Sequence, residues 1–179
     1  SFNEFERVFK SLPQVPVIKI RSYHNHPAYI RAMVENIKEH LQSWESYFFL
    51  FTAHSLPVQV IKRGDPYKDQ TEETVKLIME HFPGVSYALG YQSKIGPVKW
   101  LEPFTDALIE ELIKSGVKRL ALIPVSFVCE HSETLYELDI VYRDLAESLG
   151  VESFVRIPTL KDHPIFIEAL RQLVISSLQ

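Results

Sequence analysis

The stretch Tyr47-Phe48-Phe49-Leu50-Phe51-Thr52-Ala53-His54-Ser55-Leu56-Pro57 decides how the rest of the chain is read. Six of its first seven positions are apolar or aromatic, Thr52 being the exception, as befits a parallel strand, because helices cover both faces of a parallel sheet. It then ends on a polar histidine, and Pro57 lacks the N–H that would extend a ladder. Working outward, further strand-like runs lie at Val15 to Tyr23, Ser86 to Ser93, Arg119 to Ser126 and Glu152 to Pro158. Each is followed by apolar residues at helical spacing. Ile30, Met33, Val34, Ile37 and Leu41 form one such stripe, Val75, Ile78, Met79 and Phe82 a second, and Phe104, Leu108, Ile109, Leu112 and Ile113 a third. Leu135, Leu138, Tyr142, Leu145 and Leu149 form the next, and Phe166, Leu170 and Leu173 the last. Five βα units in succession predict an α/β fold: three layers, α/β/α, around a mainly parallel sheet, Rossmann-like and flavodoxin-like in its layering.

Local signals agree with that alternation. Asp69 followed by Glu72 reads as a capping box, Gly116 and Gly150 stand where helices should stop, and Pro27, Pro103 and Pro164 suit first turns. No glycine-rich GxGxxG or GxxxxGKT segment follows any strand, so a nucleotide-binding version of the fold is not expected.

Length and composition bound the rest. A chain of 179 residues with 46% hydrophobic content is expected to form one domain over residues 1–179, with 1–14 an interdomain segment. It opens on Ser1 and an amphipathic stretch carrying Phe2, Phe5, Val8 and Phe9, which suggests a piece of a longer protein. A net charge of -4 without a basic cluster argues against nucleic acid as a partner. The apolar runs are far shorter than the ~20 residues that cross a bilayer. The single cysteine, Cys129, allows no internal disulfide, and no signal-type start is visible, so a reducing cytoplasmic compartment is the simplest reading. Peripheral membrane contact stays open.

Ligands of open parallel sheets bind at the carboxyl ends of the strands, where loops converge. Three segments at those ends hold the chemistry: residues 51–57 with His54, residues 92–101 with Gln92, Ser93, Lys94 and Trp100, and residues 127–139 with Glu133 and Glu137. Four residues apart, Glu133 and Glu137 share a helical face opposite the stripe of Leu135, Leu138 and Tyr142, so they point away from the core. Taken singly, each has a plainer account. The glutamates fit a solvated face at a helix start, where the macrodipole favours carboxylates, and His54 fits a hydrogen-bonded strand end. Trp100 fits packing, and Lys94 the surface.

Taken together, the segments resemble the ferrochelatase family. Its carboxy-terminal half carries FSAHSLP, GDPY, QSKxGPxxWL and DHxETLYELD in that order; here stand FTAHSLP at residues 51–57, GDPY at 64–67, QSKIGPVKWL from Gln92 and EHSETLYELD from Glu130. The likeness runs from about His26 to Leu173 and covers only the second half of a family member. It implies a chelatase-type α/β/α domain that inserts ferrous iron into a porphyrin, protoporphyrin IX or coproporphyrin III, in heme biosynthesis. An amino-terminal domain of the same protein would complete the cleft. It also implies that His54 and Glu133 are catalytic and metal-handling, facing each other across the metal position of the porphyrin plane. Glu137 would be the next step of an acidic ladder, with Gln92, Ser93, Lys94 and Trp100 near the macrocycle. Ferrous iron is then a substrate, and no resident cofactor is expected. Relatives with a [2Fe-2S] cluster use four cysteines against one here. Two departures stand out: Val141 occupies the place of the ladder's third carboxylate, and Glu130 stands where aspartate is commoner. A cobalt or nickel tetrapyrrole chelatase and a non-catalytic tetrapyrrole-binding domain are the alternative readings.

Overall fold

The aromatic run after Tyr47 forms β1 (Phe48–His54), an inner strand of the sheet, in a computed structural model that describes residues 2–10 and 17–178. It pairs in parallel with β2 (Tyr87–Gln92) on one side and β3 (Arg119–Pro124) on the other, and β3 carries β4 (Ser153–Arg156) at its outer edge. The resulting four-stranded order, β2-β1-β3-β4, is all parallel. Strand order therefore reverses between β1 and β3, and in such sheets the ligand crevice opens at the carboxyl ends of the strands flanking that reversal.

Helices supply the outer layers. Around the sheet lie α2 (Pro27–His40), α3 (Val58–Lys62), α4 (Tyr67–Met79), α5 (Thr105–Lys114), α6 (Tyr142–Ser148) and α7 (Pro164–Ser177), while α1 (Phe2–Phe9) adds no described side chain to either core. A π-helical stretch, Thr134–Val141, runs directly into α6. Side chains alternate along β1, and each face has its own core. Phe49, Phe51 and Ala53 pack with Ile37 of α2, Ile78 of α4 and Phe166 of α7. Leu50 packs on the opposite face with Ile109 of α5, Leu138 of the π-helical stretch and Ala146 of α6. Each fully buried Leu, Ile or Phe contributes roughly 1.5–3 kcal/mol, so two such clusters hold the sheet firmly. Thr52 and His54 share the Leu50 parity, which directs them toward the layer that carries Glu133.

Four expectations are corrected. Residues 17–23 form no strand, while Val15 and Pro16 lie outside the described residues. Val17, Ile18 and Ile20 are exposed, and without a partner strand their β-branched side chains have no pleated surface to pack on. Asp69 does not cap α4: the helix starts at Tyr67, whose N–H donates to the Asp65 carboxylate at 2.9 Å, leaving Asp69 inside the first turn. Pro103 precedes α5, which begins at Thr105. Leu135 is half exposed where the helical stripe predicts burial. The wider turn of the π-helical stretch, where the Tyr142 N–H donates to the Glu137 carbonyl five residues back, shifts the phase of the whole segment. Gly116 and Gly150 do end helices with positive φ, and Pro27 and Pro164 do open them. Among the described residues, no helix is long and apolar enough to cross a membrane.

Candidate functional site

His54 is the last residue of β1, and both of its main-chain polar groups are held by side chains. Its N–H donates to Ser126 Oγ at 2.8 Å, and its carbonyl accepts the Tyr67 hydroxyl at 2.8 Å. Ser126 follows β3 across the strand reversal, whereas Tyr67 is the tyrosine of the Gly64-Asp65-Pro66-Tyr67 turn. That turn closes on Gly64 at φ 93 and on the Asp65 carboxylate. Burial pushes the Tyr67 phenol above its usual pKa, so it stays a donor. The GDPY segment thus acts on the site by fixing the backbone of a histidine thirteen residues earlier.

The imidazole reaches the opposing helix directly. His54 Nδ1 lies 3.0 Å from Glu133 Oε2, with the two side chains 37% and 39% exposed. With a carboxylate as acceptor, the ring donates from Nδ1, which leaves the Nε2 lone pair of a neutral imidazole turned outward. Among the described residues neither Nε2 nor Glu133 Oε1 has a hydrogen-bond partner. At 3.0 Å the two side chains touch side by side at the carboxyl end of β1.

Glu133 is positioned by the start of its helix. The Glu133 N–H donates to His131 Nδ1 at 3.3 Å, and the Thr134 hydroxyl accepts the His131 N–H and donates to the His131 carbonyl. Orphan amides of a first helical turn are satisfied in this way by nearby side chains. Phe127 stands between His54 and His131, with ring centroids at 6.4 Å and 4.8 Å.

Glu137 joins the same network one turn on. Ser93 Oγ donates to Glu137 Oε2 at 2.8 Å and lies 3.3 Å from Glu133 Oε2, while Gln92 Nε2 donates to Glu137 Oε2 at 3.1 Å. The other end of the Gln92 amide accepts from Thr52 Oγ1 at 2.8 Å, and Thr52 in turn meets Thr105 Oγ1 at 2.8 Å. Gln92 is 2% exposed with both ends of its amide engaged, which orients Glu137, and it also lines the cavity beside that carboxylate. Ser93, at φ 65, bridges both carboxylates from the loop after β2.

Lys94 and Trp100 stand farther out. Lys94 Nζ lies 3.5 Å from Asp106 and 3.9 Å from the Phe104 ring centroid. Lys94, Asp106, Ser93, Tyr136 and Glu137 line a cavity of about 370 Å³ beside the carboxylates. Trp100 donates its indole N–H to the Ile95 carbonyl at 3.1 Å and pairs with Pro57, next to the segment that follows His54. The structure thus gathers His54, Glu133, Glu137, Ser93 and Gln92 into one hydrogen-bonded cluster, with Lys94 at the adjoining cavity and Trp100 in the neighbouring loop. Val141, in place of a third ladder carboxylate, lines the same cavity as an apolar wall. Ser126, Tyr67 and Thr52 are site residues that the sequence reading missed. Tyr67 lies inside a quoted motif, whereas Ser126 and Thr52 are visible only once β1 and β3 are known to be neighbours.

Comparison with known proteins bears on this geometry. The family model described as Ferrochelatase matches residues 1–178. The chain is 66% identical over 164 residues to a ferrochelatase of Sulfurihydrogenibium sp., covering 91% of this chain and 49% of that protein. It is 58% identical over 176 residues to one of Aquifex aeolicus, covering 97% of this chain and 57% of that protein. It therefore spans about half the length of the curated relatives it matches. Among solved structures, SirB from Bacillus subtilis with Fe3+ superposes with a TM-score of 0.69 at 15% identity, over 98% of this chain and 63% of that one. A putative cobalamin biosynthesis CbiX protein from Marinobacter aquaeolei does so with a TM-score of 0.55 at 16% identity, over 74% of this chain and 97% of that one. At such identities the two structures speak for the fold alone.

Proposed function

Because the chain belongs to the ferrochelatase family, we propose that it is the metal-handling half of an enzyme that inserts ferrous iron into a porphyrin, protoporphyrin IX or coproporphyrin III, in heme biosynthesis. The observation that carries this reading is the His54–Glu133 contact of 3.0 Å at the carboxyl end of β1, with Nε2 and Oε1 left open beside it. Metallation replaces two pyrrole N–H protons by one divalent cation, so the site needs an atom that can take a proton and ligands that can release an ion. An outward Nε2 lone pair suits the first task. Imidazole plus carboxylate suits the second, since ferrous iron accepts both and neither holds it as a thiolate would. Protons leave toward Glu133 and Glu137, which Ser93 joins by hydrogen bonds.

Lys94, at the 370 Å³ cavity, and Trp100 are the groups for the macrocycle, a cation for a propionate and an aromatic face for a flat ring. An amino-terminal half of the same protein completes the cleft, and the enzyme works in the cytoplasm. The reaction needs no cluster on this chain, in keeping with its single Cys129.

The test is His54→Ala in the full-length protein. Insertion of iron or zinc, followed by porphyrin absorbance, should fall by at least 10²- to 10⁴-fold, the usual worth of a positioned acid–base group. Circular dichroism should stay unchanged. A folded variant that inserts metal at the wild-type rate rejects the assignment.

A further inference from the structure

We infer that Arg156 is a positioning residue that clamps both ends of the segment carrying Glu133 and so aims its carboxylate at His54. The inference rests on the proposed role of the His54–Glu133 pair. Arg156 is the last residue of β4, and its side chain is 7% exposed. Its guanidinium makes a two-point contact with Asp139, Nε donating to Oδ1 at 2.7 Å and Nη2 to Oδ2. The remaining Nη1 donates to Glu130 Oε1 at 2.7 Å. Glu130 lies three residues before Glu133, and Asp139 six residues after it. One planar cation thus grips the chain on either side of the carboxylate, in the fork geometry that lysine cannot reproduce.

The grip is anchored to the same rim as the histidine. In the sheet register Arg156 lies beside Leu122 of β3, and β3 is the neighbour of β1. The Glu130 carboxylate is held further by the Thr159 N–H at 2.9 Å, so the contact does not depend on a mobile surface pair. The held segment needs such a fixture. It is π-helical, its wide turns lack the regular four-residue spacing, and the Asp139 carbonyl takes a side-chain N–H from Arg143 at 3.2 Å. Leu138 fixes its inner face in the core, and Arg156 adds a hold on both ends from outside. The Glu130 side chain reaches both the Arg156 guanidinium and the Thr159 N–H through one oxygen.

The test is run on the full-length protein, with porphyrin metallation and cobalt(II) titration as readouts. Arg156→Lys keeps the charge and loses the fork. It should weaken cobalt(II) binding and lower kcat by about 10- to 100-fold, as supporting partners of a ligand do, while KM for porphyrin changes by less than about twofold. Asp139→Asn, at a partly exposed position, should act in the same direction. In a Glu133→Gln background either substitution should weaken cobalt(II) binding by less than about twofold more, because the carboxylate it aims is gone. Two outcomes overturn the clamp while leaving the functional reading intact. In one, Arg156→Lys and Asp139→Asn match the wild type in a protein that Glu133→Gln cripples. In the other, both weaken cobalt(II) equally in the two backgrounds. If Glu133→Gln itself changes neither cobalt(II) binding nor insertion, the functional reading fails.

Discussion

At the scale of single residues, Glu130, which precedes the site helix, is a carboxylate whose charge is set by what holds it. Burial alone pushes its carboxyl up, yet the Arg156 guanidinium and the Thr159 N–H outweigh that and hold it at about 2. A carboxyl held below its ordinary value near 4.5 stabilises the fold fully above that value, and the contribution drains away as pH falls from about 4.5 toward 2. Glu130→Gln should therefore lower Tm at neutral pH by roughly 5 °C, the shift that a lost charged hydrogen bond of about 1.5–3 kcal/mol produces at this length. Thermal melts should also depend less steeply on pH between about 4.5 and 2 in the variant than in the wild type. Parallel wild-type and variant curves would rule out the ion pair as an acid-sensitive support. His54 and Glu133 were legible in the sequence because each sits in a motif at a strand's carboxyl end. Ser126, Tyr67 and Thr52 were not, because nothing local marks a residue whose task is to hold another through a tertiary contact.

At the scale of elements, the four observed strands and the helices α2, α4, α5 and α7 were legible from periodicity, since burial on both faces writes itself as unbroken apolar runs. Residues 17–23 have the composition of a strand without a neighbour to pair with, and composition cannot reveal that lack. The π-helical stretch was equally hidden. Its residues fit an α-helical stripe on paper, but the wider turn moves Leu135 out and keeps Leu138 and Tyr142 in. The packing of α5 on β2 gives a sharper expectation. A Cβ added at Gly90 would meet Thr105 Oγ1 at 2.8 Å and the Thr105 Cα at 2.9 Å, so backbone has to move. Gly90→Ala should cost about 1–3 kcal/mol, measured by urea unfolding. It should also disturb the Thr52–Gln92–Glu137 chain, because Thr105 is part of it. An alanine variant as stable as the wild type would mean that α5 sits farther from the sheet than described.

At the scale of the whole molecule, a purely parallel sheet with β1 and β3 inside puts its stability at the centre. Residues 49–53 of β1 and 120–123 of β3 are fully buried between two cores, while β4 has a partner on one side alone. Native-state hydrogen exchange should be slowest in those two stretches and several-fold faster at 153–156, since local opening follows contact and burial. Equal protection at the edge would contradict a centre-weighted fold. The layered architecture was visible in the alternation of strand and helix patterns. The meeting of His54 with Glu133 followed from two facts that alternation does not contain: the strand order, and the parity that turns His54 toward the layer carrying Glu133.

One feature of that rim reaches further. His54 is fastened at both main-chain atoms, by Ser126 and by Tyr67, so its only soft coordinates are the two torsions of its own side chain. The ring is hinged on that fixed backbone, with Nδ1 resting on Glu133. Half-exposed rotors of this kind turn over in picoseconds to nanoseconds. The imidazole can therefore change its direction by rotation alone, with no loop to open and no strand to shift.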